Sequence, residues 1–560
     1  MGDYGLIPLD MTLFHPCIQW TNRCIIINRY LCYNISGINR HEWRDKMELT
    51  ETLGRLFLIG LPGRKLDDET KEILSKVNPG FIILFQRNIE SKDQLKEYIT
   101  DIKTFLGREV VFAIDQEGGI VTRLENGFTI SPGSMAIAAT GNPRNAFEAG
   151  RILGEEMYDL GISWNLAPVV DINENPYNPS LGVRGFSDKG SVVCRYSENV
   201  MKGLQRSGVA TTAKHFPGKG SVNVDPHLDM PYVDKTLEEL EQNEFVPFKN
   251  LIGKGLDAVM ISHYYLPRIM NEKIPATVSK QIITNILKER LNFKGITVSD
   301  DLTMGGMRHS FTPGEASVKA LEAGLDVIDI CHDKRNMYDA IEHLTSKAKQ
   351  DEGFARIVDR AYKKVSSFIR KQFIPNEAAG QNDNIASSEH LETMKRITDQ
   401  SITLVGNADK IIPLEKGGGI DLIASVNPLR QSLVEEGQRG GYLYAALLDY
   451  LTASEHFCFD AKLSKEQADE QINGKSGNQA IVITENAYLF EGQKRLVAEI
   501  VKRYQFVLLI ALRNPYDAGL PGVKNALLTY GYSQESQRSA LDVIKGVKAA
   551  GGKCPVNLSL

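Results

Sequence analysis

Apolar residues alternate between two regimes along most of the chain. From residue 48 to about 370, short runs rich in β-branched and aliphatic residues are separated by longer stretches. The runs are 56–61, 80–85, 110–115, 163–171, 209–215, 258–263, 296–300 and 325–331. The stretches between them include 146–160, 194–207, 237–254 and 280–291, where apolar positions recur at helical spacing. Strand then helix, repeated eight times, predicts a (β/α)8 barrel of the TIM type over 47–375. Several runs end on polar or ionisable residues: Asp115, Asp171, Lys214 with His215, His263, and Ser299 with Asp300. In a parallel barrel the C-terminal strand ends carry the active site, so this pattern is a functional signal before any motif is read.

Residues 376–395 are polar and poor in large apolar groups, and read as a linker ending in an entering helix. Beyond them, 402–405, 420–426, 480–483 and 506–512 read as strands, and 496–503 and 540–550 as helices. They predict a second α/β domain over 396–560, a C-terminal sandwich around an open sheet of five or six strands. Residues 1–46 differ from the rest and hold three of the seven cysteines. Asp3 precedes any basic residue, and Asn22, Arg23, Asn28 and Arg29 interrupt the apolar run, which makes a poor secretion signal. The segment is expected to lie outside the folded core, upstream of a start at Met47. A cytoplasmic protein follows from that reading, with a cleaved export segment as the alternative.

The balance of 65 basic and 70 acidic residues, net −5, gives no support for a nucleic-acid groove or an anionic membrane partner. No segment approaches the roughly 20 apolar residues that a bilayer span needs. The cysteines lack CxxC spacing, which disfavours a structural zinc site. No cofactor is implied, because Gly417–Gly419 lacks phosphate-loop spacing.

Candidate chemistry gathers in three segments at strand ends. The first runs from Asp115 through two glycines to Arg123, and an acid and a base so placed can meet one polar ligand. The second is Lys214-His215-Phe-Pro-Gly-Lys-Gly220, followed by a long loop with Asp225 and His227. Those two can hydrogen-bond, and an Asp beside a His fixes its tautomer and raises its basicity. The third is Thr297-Val-Ser-Asp300-Asp301. Adjacent carboxylates point in different directions, so Asp300 is expected in the pocket and Asp301 in a structural role. A carboxylate nucleophile, an acid/base group and several hydroxyl-binding groups are what a retaining glycosidase needs. The second carboxylate would be Asp225, or be replaced by His227.

These segments carry a resemblance. KHFPGKG followed by DPH, with DQEGG, APVVDIN, VRGFS, MISH and SDDLTM, resembles family 3 of the glycoside hydrolases. The Asp-x-His loop is similar to that of its β-N-acetylglucosaminidase branch. The resemblance covers 48–375 and extends into the C-terminal domain through SITLVGN, ALRNPYDAG and LTYGYS. It implies a retaining β-N-acetylglucosaminidase acting on chitin- or peptidoglycan-derived saccharides, as in bacterial peptidoglycan recycling. Asp300 would be the nucleophile, and His227, held by Asp225, the acid and then the base. Asp115, Arg123, Arg184, Lys214 and His215 would bind the sugar, with His263 at the same mouth. The alternatives are a β-N-acetylglucosaminide phosphorylase and a β-glucosidase-type member.

Lys219 departs from the pattern, since the branch often has His there. It is expected either to meet an anionic group of the substrate or to stand exposed at a glycine turn. A metal-dependent amidohydrolase also uses such a barrel, but its first strand usually ends in His-x-His, and here that strand ends Ile-Gly-Leu-Pro-Gly. A non-catalytic sugar-binding protein is disfavoured by the presence of both nucleophile and dyad.

Overall fold

The structure is a computed structural model that describes residues 19–20, 24–27, 31–34, 49–222, 231–375, 378–380, 384–417, 420–427, 441–451 and 455–559. Residues 1–51 and 52–560 form separate compact units. In the first unit, Gln19–Trp20, Cys24–Ile27 and Leu31–Asn34 pair antiparallel into a small sheet.

The second unit contains the barrel. Its strands are β1 (Phe57–Gly60), β2 (Phe81–Leu84), β3 (Val111–Ile114), β4 (Trp164–Asn165), β5 (Ala210–Phe216), β6 (Ala258–Ile261), β7 (Ile296–Ser299) and β8 (Ile328–Ile330). Each pairs in parallel with the next from β1 to β7, and β8 pairs with β1. The seam between β7 and β8 is short: Ser299 N–H donates to Val327 O at 3.1 Å. β1, β2 and β3 read as continuous apolar runs because both of their faces are buried, whereas β5 is equally buried but carries Thr211, Thr212, Lys214 and His215. Trp164 anchors the floor, edge-on to Phe81 and Phe368, with its Nε1 donating to Thr212 at 2.8 Å.

Three predicted elements differ, and the last is the helix expected at 540–550, which runs Gln534–Ile544. The run 163–171 is laddered only at β4, because Pro168 has no N–H to donate. The chain continues irregularly, and Val170 N–H donates to Lys214 O at 2.8 Å, which brings Asp171 beside β5. The helix predicted at 237–254 is two helices, Leu237–Gln242 and Phe245–Ile252. Pro247 would break a continuous helix, but it is tolerated in the first turn of the second, where N–H groups have no helical partner.

The C-terminal sheet has six strands: β9 (Thr403–Gly406), β10 (Asp421–Asn427), β11 (His456–Asp460), β12 (Gly477–Thr484), β13 (Tyr504–Ala511) and β14 (Asn525–Leu528). Their order is β9-β14-β13-β12-β10-β11, and only the β9–β14 pair is antiparallel. One apolar cluster joins this sheet to the barrel. Ile120, Val121, Met135 and Val183 are buried with Tyr488, Tyr516 and Tyr530. Among the described residues, no helix is long and apolar enough to cross a membrane.

Candidate active site

The C-terminal strand ends bring the expected polar residues to one mouth. β3 delivers Asp115 and Glu117, β5 carries Lys214 and His215, and β7 leads directly into Asp300 and Asp301. Side chains alternate faces along a regular strand, so neighbours such as Lys214 and His215 would normally diverge. Here the β5–β6 register shifts between Ala213 and Phe216, and such an irregularity re-aims side chains beside a site.

Lys214 is the hub. Its Nζ donates to Asp115 Oδ1 at 2.6 Å and lies 2.7 Å from Glu117 Oε1. Burial pushes the Lys214 ammonium down, but Asp115 and Glu117 outweigh it and hold the pKa above the usual lysine value. Arg184 meets Glu117 through two parallel bonds, Nε to Oε2 at 2.9 Å and Nη2 to Oε1 at 2.8 Å. That bidentate geometry is the strong form of the pair. Burial raises the Glu117 carboxyl, but Arg184 and Lys214 pull it well below the ordinary range. Arg123 is buried, with its Nη2 3.8 Å from Asp115 Oδ2.

A second cluster surrounds His215. Its Nδ1 lies 2.8 Å from Asp171 Oδ2, and its Nε2 lies 3.3 Å from Lys219 Nζ. Lys219 is 4% exposed, so it does not stand in solvent at a glycine turn. The flanking glycines serve close approach instead: a Cβ on Gly220 would lie 1.6 Å from Ile172 O. Lys219 N–H donates to Asp171 Oδ1 at 2.9 Å, and its carbonyl accepts from Asn178 Nδ2 at 2.7 Å. Burial raises Asp171, but His215 and Lys219 hold its carboxyl below the usual value.

Asp300 and Asp301 take different surroundings. Asp301 Oδ1 accepts from both the N–H and the hydroxyl of Thr303 at 2.8 Å, a turn cap. Asp300 Oδ1 accepts from Asp301 N–H at 3.0 Å. Burial pushes the Asp300 carboxyl up, but His215, His263, Lys219 and Lys214 together hold it below the usual range. It is therefore ionised at neutral pH. His263 is buried with both ring nitrogens engaged, Nδ1 2.8 Å from Thr277 Oγ1 and Nε2 2.9 Å from the Asp301 carbonyl. A carbonyl only accepts, so Nε2 carries the proton, and His263 clamps the turn that presents the two aspartates.

The structure thus brings together Asp115, Arg123, Arg184, Lys214, His215, His263 and Asp300. Asp225 and His227 lie outside the described residues. Sequence reasoning gave no site assignment to Glu117, Asp171 or Tyr264. Glu117 sits inside the DQEGG motif and Asp171 ends a predicted run, so both carried a signal. Tyr264 follows His263 and is half-buried, and its hydroxyl is pushed up by desolvation and then by Asp171 and Asp300.

A family model described as "Glycosyl hydrolase family 3 N terminal domain" matches residues 48–367. The chain is 35% identical over 305 residues to a beta-hexosaminidase of Haemophilus influenzae, covering 54% of this chain and 86% of the relative. A family 3 beta-N-acetylglucosaminidase from Paenibacillus sp. superposes with a TM-score of 0.82 at 29% identity, over 91% of this chain and 99% of that one. A beta-glucoside phosphorylase shares the fold, with a TM-score of 0.73 at 20% identity over 93% of this chain and 97% of that one.

Proposed function

Because the chain belongs to glycosyl hydrolase family 3, we propose that it is a retaining β-N-acetylglucosaminidase releasing terminal β-linked N-acetylglucosamine. The observation that carries the reading is the setting of Asp300, a carboxylate held below the usual range at the end of β7 by basic side chains on other elements, Lys214 and Lys219 among them. An ionised carboxylate at the barrel mouth can attack an anomeric carbon. In the proposed first step an Asp300 oxygen bonds to C1 and the bond from C1 to the aglycone oxygen breaks. His227 gives that oxygen its proton. In the second step water attacks C1, His227 takes the water's proton, and the ester to Asp300 is released. Asp115, Lys214, Arg184 and Arg123 form an array of charged groups suited to sugar hydroxyls, and Asp225 orients His227.

The N-acetylglucosaminide preference is supported by the Paenibacillus enzyme, which covers both sheets of this chain's second unit, and by the beta-hexosaminidase of Haemophilus influenzae. Saccharides derived from chitin or peptidoglycan are the natural substrates we infer. The test is turnover of paired aryl β-N-acetylglucosaminides and β-glucosides, with and without inorganic phosphate. Preferential, phosphate-independent hydrolysis of the N-acetylglucosaminide is expected. Turnover that requires phosphate and yields a sugar 1-phosphate would replace this reading with a phosphorylase. Preference for the glucoside would replace it with a β-glucosidase.

A further inference from the structure

The imidazole of His215 stands between two charged groups on opposite sides of its ring. Asp171 is buried, and burial raises its carboxyl, but His215 and then Lys219 hold it below the ordinary range. An ionised carboxylate only accepts, so the contact at 2.8 Å places a proton on Nδ1. The only site left for a second proton is Nε2, and there the Lys219 ammonium lies 3.3 Å away. An ammonium only donates, so Nε2 must be the acceptor. Lys219 is held in that place from three directions. Its N–H is bonded to Asp171, its carbonyl to Asn178, and the close approach of Gly220 to Ile172 pins the next residue.

An Asp–His pair by itself favours imidazolium, because the carboxylate stabilises the charged ring. We propose that Lys219 is a positioning residue that keeps His215 unprotonated: it occupies the only free ring nitrogen and carries at that corner the positive charge the imidazole would otherwise take up. The charged groups facing His215 are Asp171 after β4, Arg184 on the following loop, Lys219 on the loop after β5, and Asp300 at the end of β7. Burial, then Lys219, pushes His215 down to about 4, while Asp171 opposes them. Burial and Arg184 push Lys219 down to about 7, against Asp171, Asp300 and Glu117. His215 then enters the sugar site as a neutral ring with both nitrogens spent, and the donor at that corner is a lysine.

The assignment of this corner to a sugar site rests on the proposed glycosidase reading; the protonation state does not. The measurement is therefore made on the free, full-length protein by nitrogen NMR of its histidines, with His215→Gln giving the assignment. In the wild type, His215 is expected to stay neutral, with the proton on Nδ1, from pH 8 down to about 5. In Lys219→Met, the midpoint should rise by about one pH unit or more, and an Nε2–H signal should appear on acidification. In Lys219→Gln, a neutral amide still donates to Nε2, so the midpoint should fall between the two. A parallel acid limb should enter kcat/KM for an aryl N-acetylglucosaminide in Lys219→Met at the shifted midpoint. Titration of wild-type His215 near its ordinary value of about 6.5 would overturn the proposal, and that arm needs no variant to fold. An unmoved midpoint in folded Lys219→Met would also overturn it. Failure of N-acetylglucosaminide turnover with the NMR result intact would count against the glycosidase reading alone.

Discussion

At the scale of single residues, Asp300 and Asp301 share one side chain and adjacent places, yet their neighbours give them different work. Asp301 spends a carboxylate oxygen on the Thr303 turn, whereas Asp300 faces basic side chains that hold its carboxyl below the usual range. Asp300→Asn should lower kcat by about a thousandfold or more with the melting temperature nearly unchanged, since an amide keeps the volume but cannot form the ester. Near-normal turnover would move the nucleophile elsewhere, first to Asp301. His227→Ala should slow substrates with poor leaving groups far more than nitrophenyl glycosides, because a nitrophenolate scarcely needs a proton. Equal kcat losses on both substrate types would make His227 a binding residue. The strand-end rule made Asp115, Lys214, His215 and Asp300 legible in the sequence, because a polar residue closing an apolar run has few other reasons to be there. Lys219 was not legible in the same way. A lysine between two glycines reads as an exposed turn, since lysine is almost never buried unless paired, and Asp171 and Asn178, which fix its backbone, lie more than forty residues away.

At the scale of elements, the site depends on departures from regular structure. The sequence pattern placed the eight barrel strands, because strands buried on both faces are rich in apolar residues, even where β5 and β8 carry buried polar ones. It did not foretell that 166–171 would leave the ladder, or that the register would shift at Lys214 and His215. Pro168 interrupts the first, and the second follows from pairing between strands distant in sequence, which local periodicity does not encode. The result is an ion network spanning β3, β5 and the loop after β4, in which the Glu117 side chain is 3% exposed and pairs with Arg184 and Lys214. Glu117→Gln would leave two buried cations short of a counter-charge, at a cost of about 3–5 kcal/mol. Urea unfolding checks this, and a loss under about 1 kcal/mol would mean that water compensates the cations. The sign of the pH dependence is fixed by the same pair. The folded pKa of Glu117 lies below its unfolded value, so its stabilisation is present above about pH 4.3 and is lost as the pH falls through the folded value. The variant should therefore lose less stability on acidification than the wild type.

At the scale of the whole molecule, the C-terminal domain is built into the support of the barrel mouth. Arg184 sits on an irregular loop after β4, and that loop is bonded to residues more than three hundred positions away. Asn514 Oδ1 accepts from Val183 N–H at 2.9 Å, Tyr488 donates to Pro176 O at 2.7 Å, and Asn557 N–H donates to Asp188 at 2.7 Å. Gly182, beside Arg184, has φ +47°, and a Cβ there would lie 2.3 Å from Asn514 Oδ1. Periodicity revealed a second α/β domain but gave no hint of these bonds, since polar contacts between loops leave no repeat. Asn514→Ala combined with Tyr488→Phe should raise KM about tenfold with a smaller effect on kcat, because a displaced Arg184 weakens binding before it disturbs Asp300. Unchanged kinetics would mean that the Glu117 pair alone fixes Arg184. Truncation after residue 375 should be more severe. It would expose Ile120, Val121, Met135 and Val183 as one apolar patch, formerly covered by Tyr488, Tyr516 and Tyr530. It would also remove every bond from the C-terminal sheet to the Arg184 loop. The truncated barrel should associate on gel filtration, and any monomer should show a raised KM. A soluble monomer with full kcat/KM would show that the barrel holds its own mouth, and that the second sheet serves something other than this site.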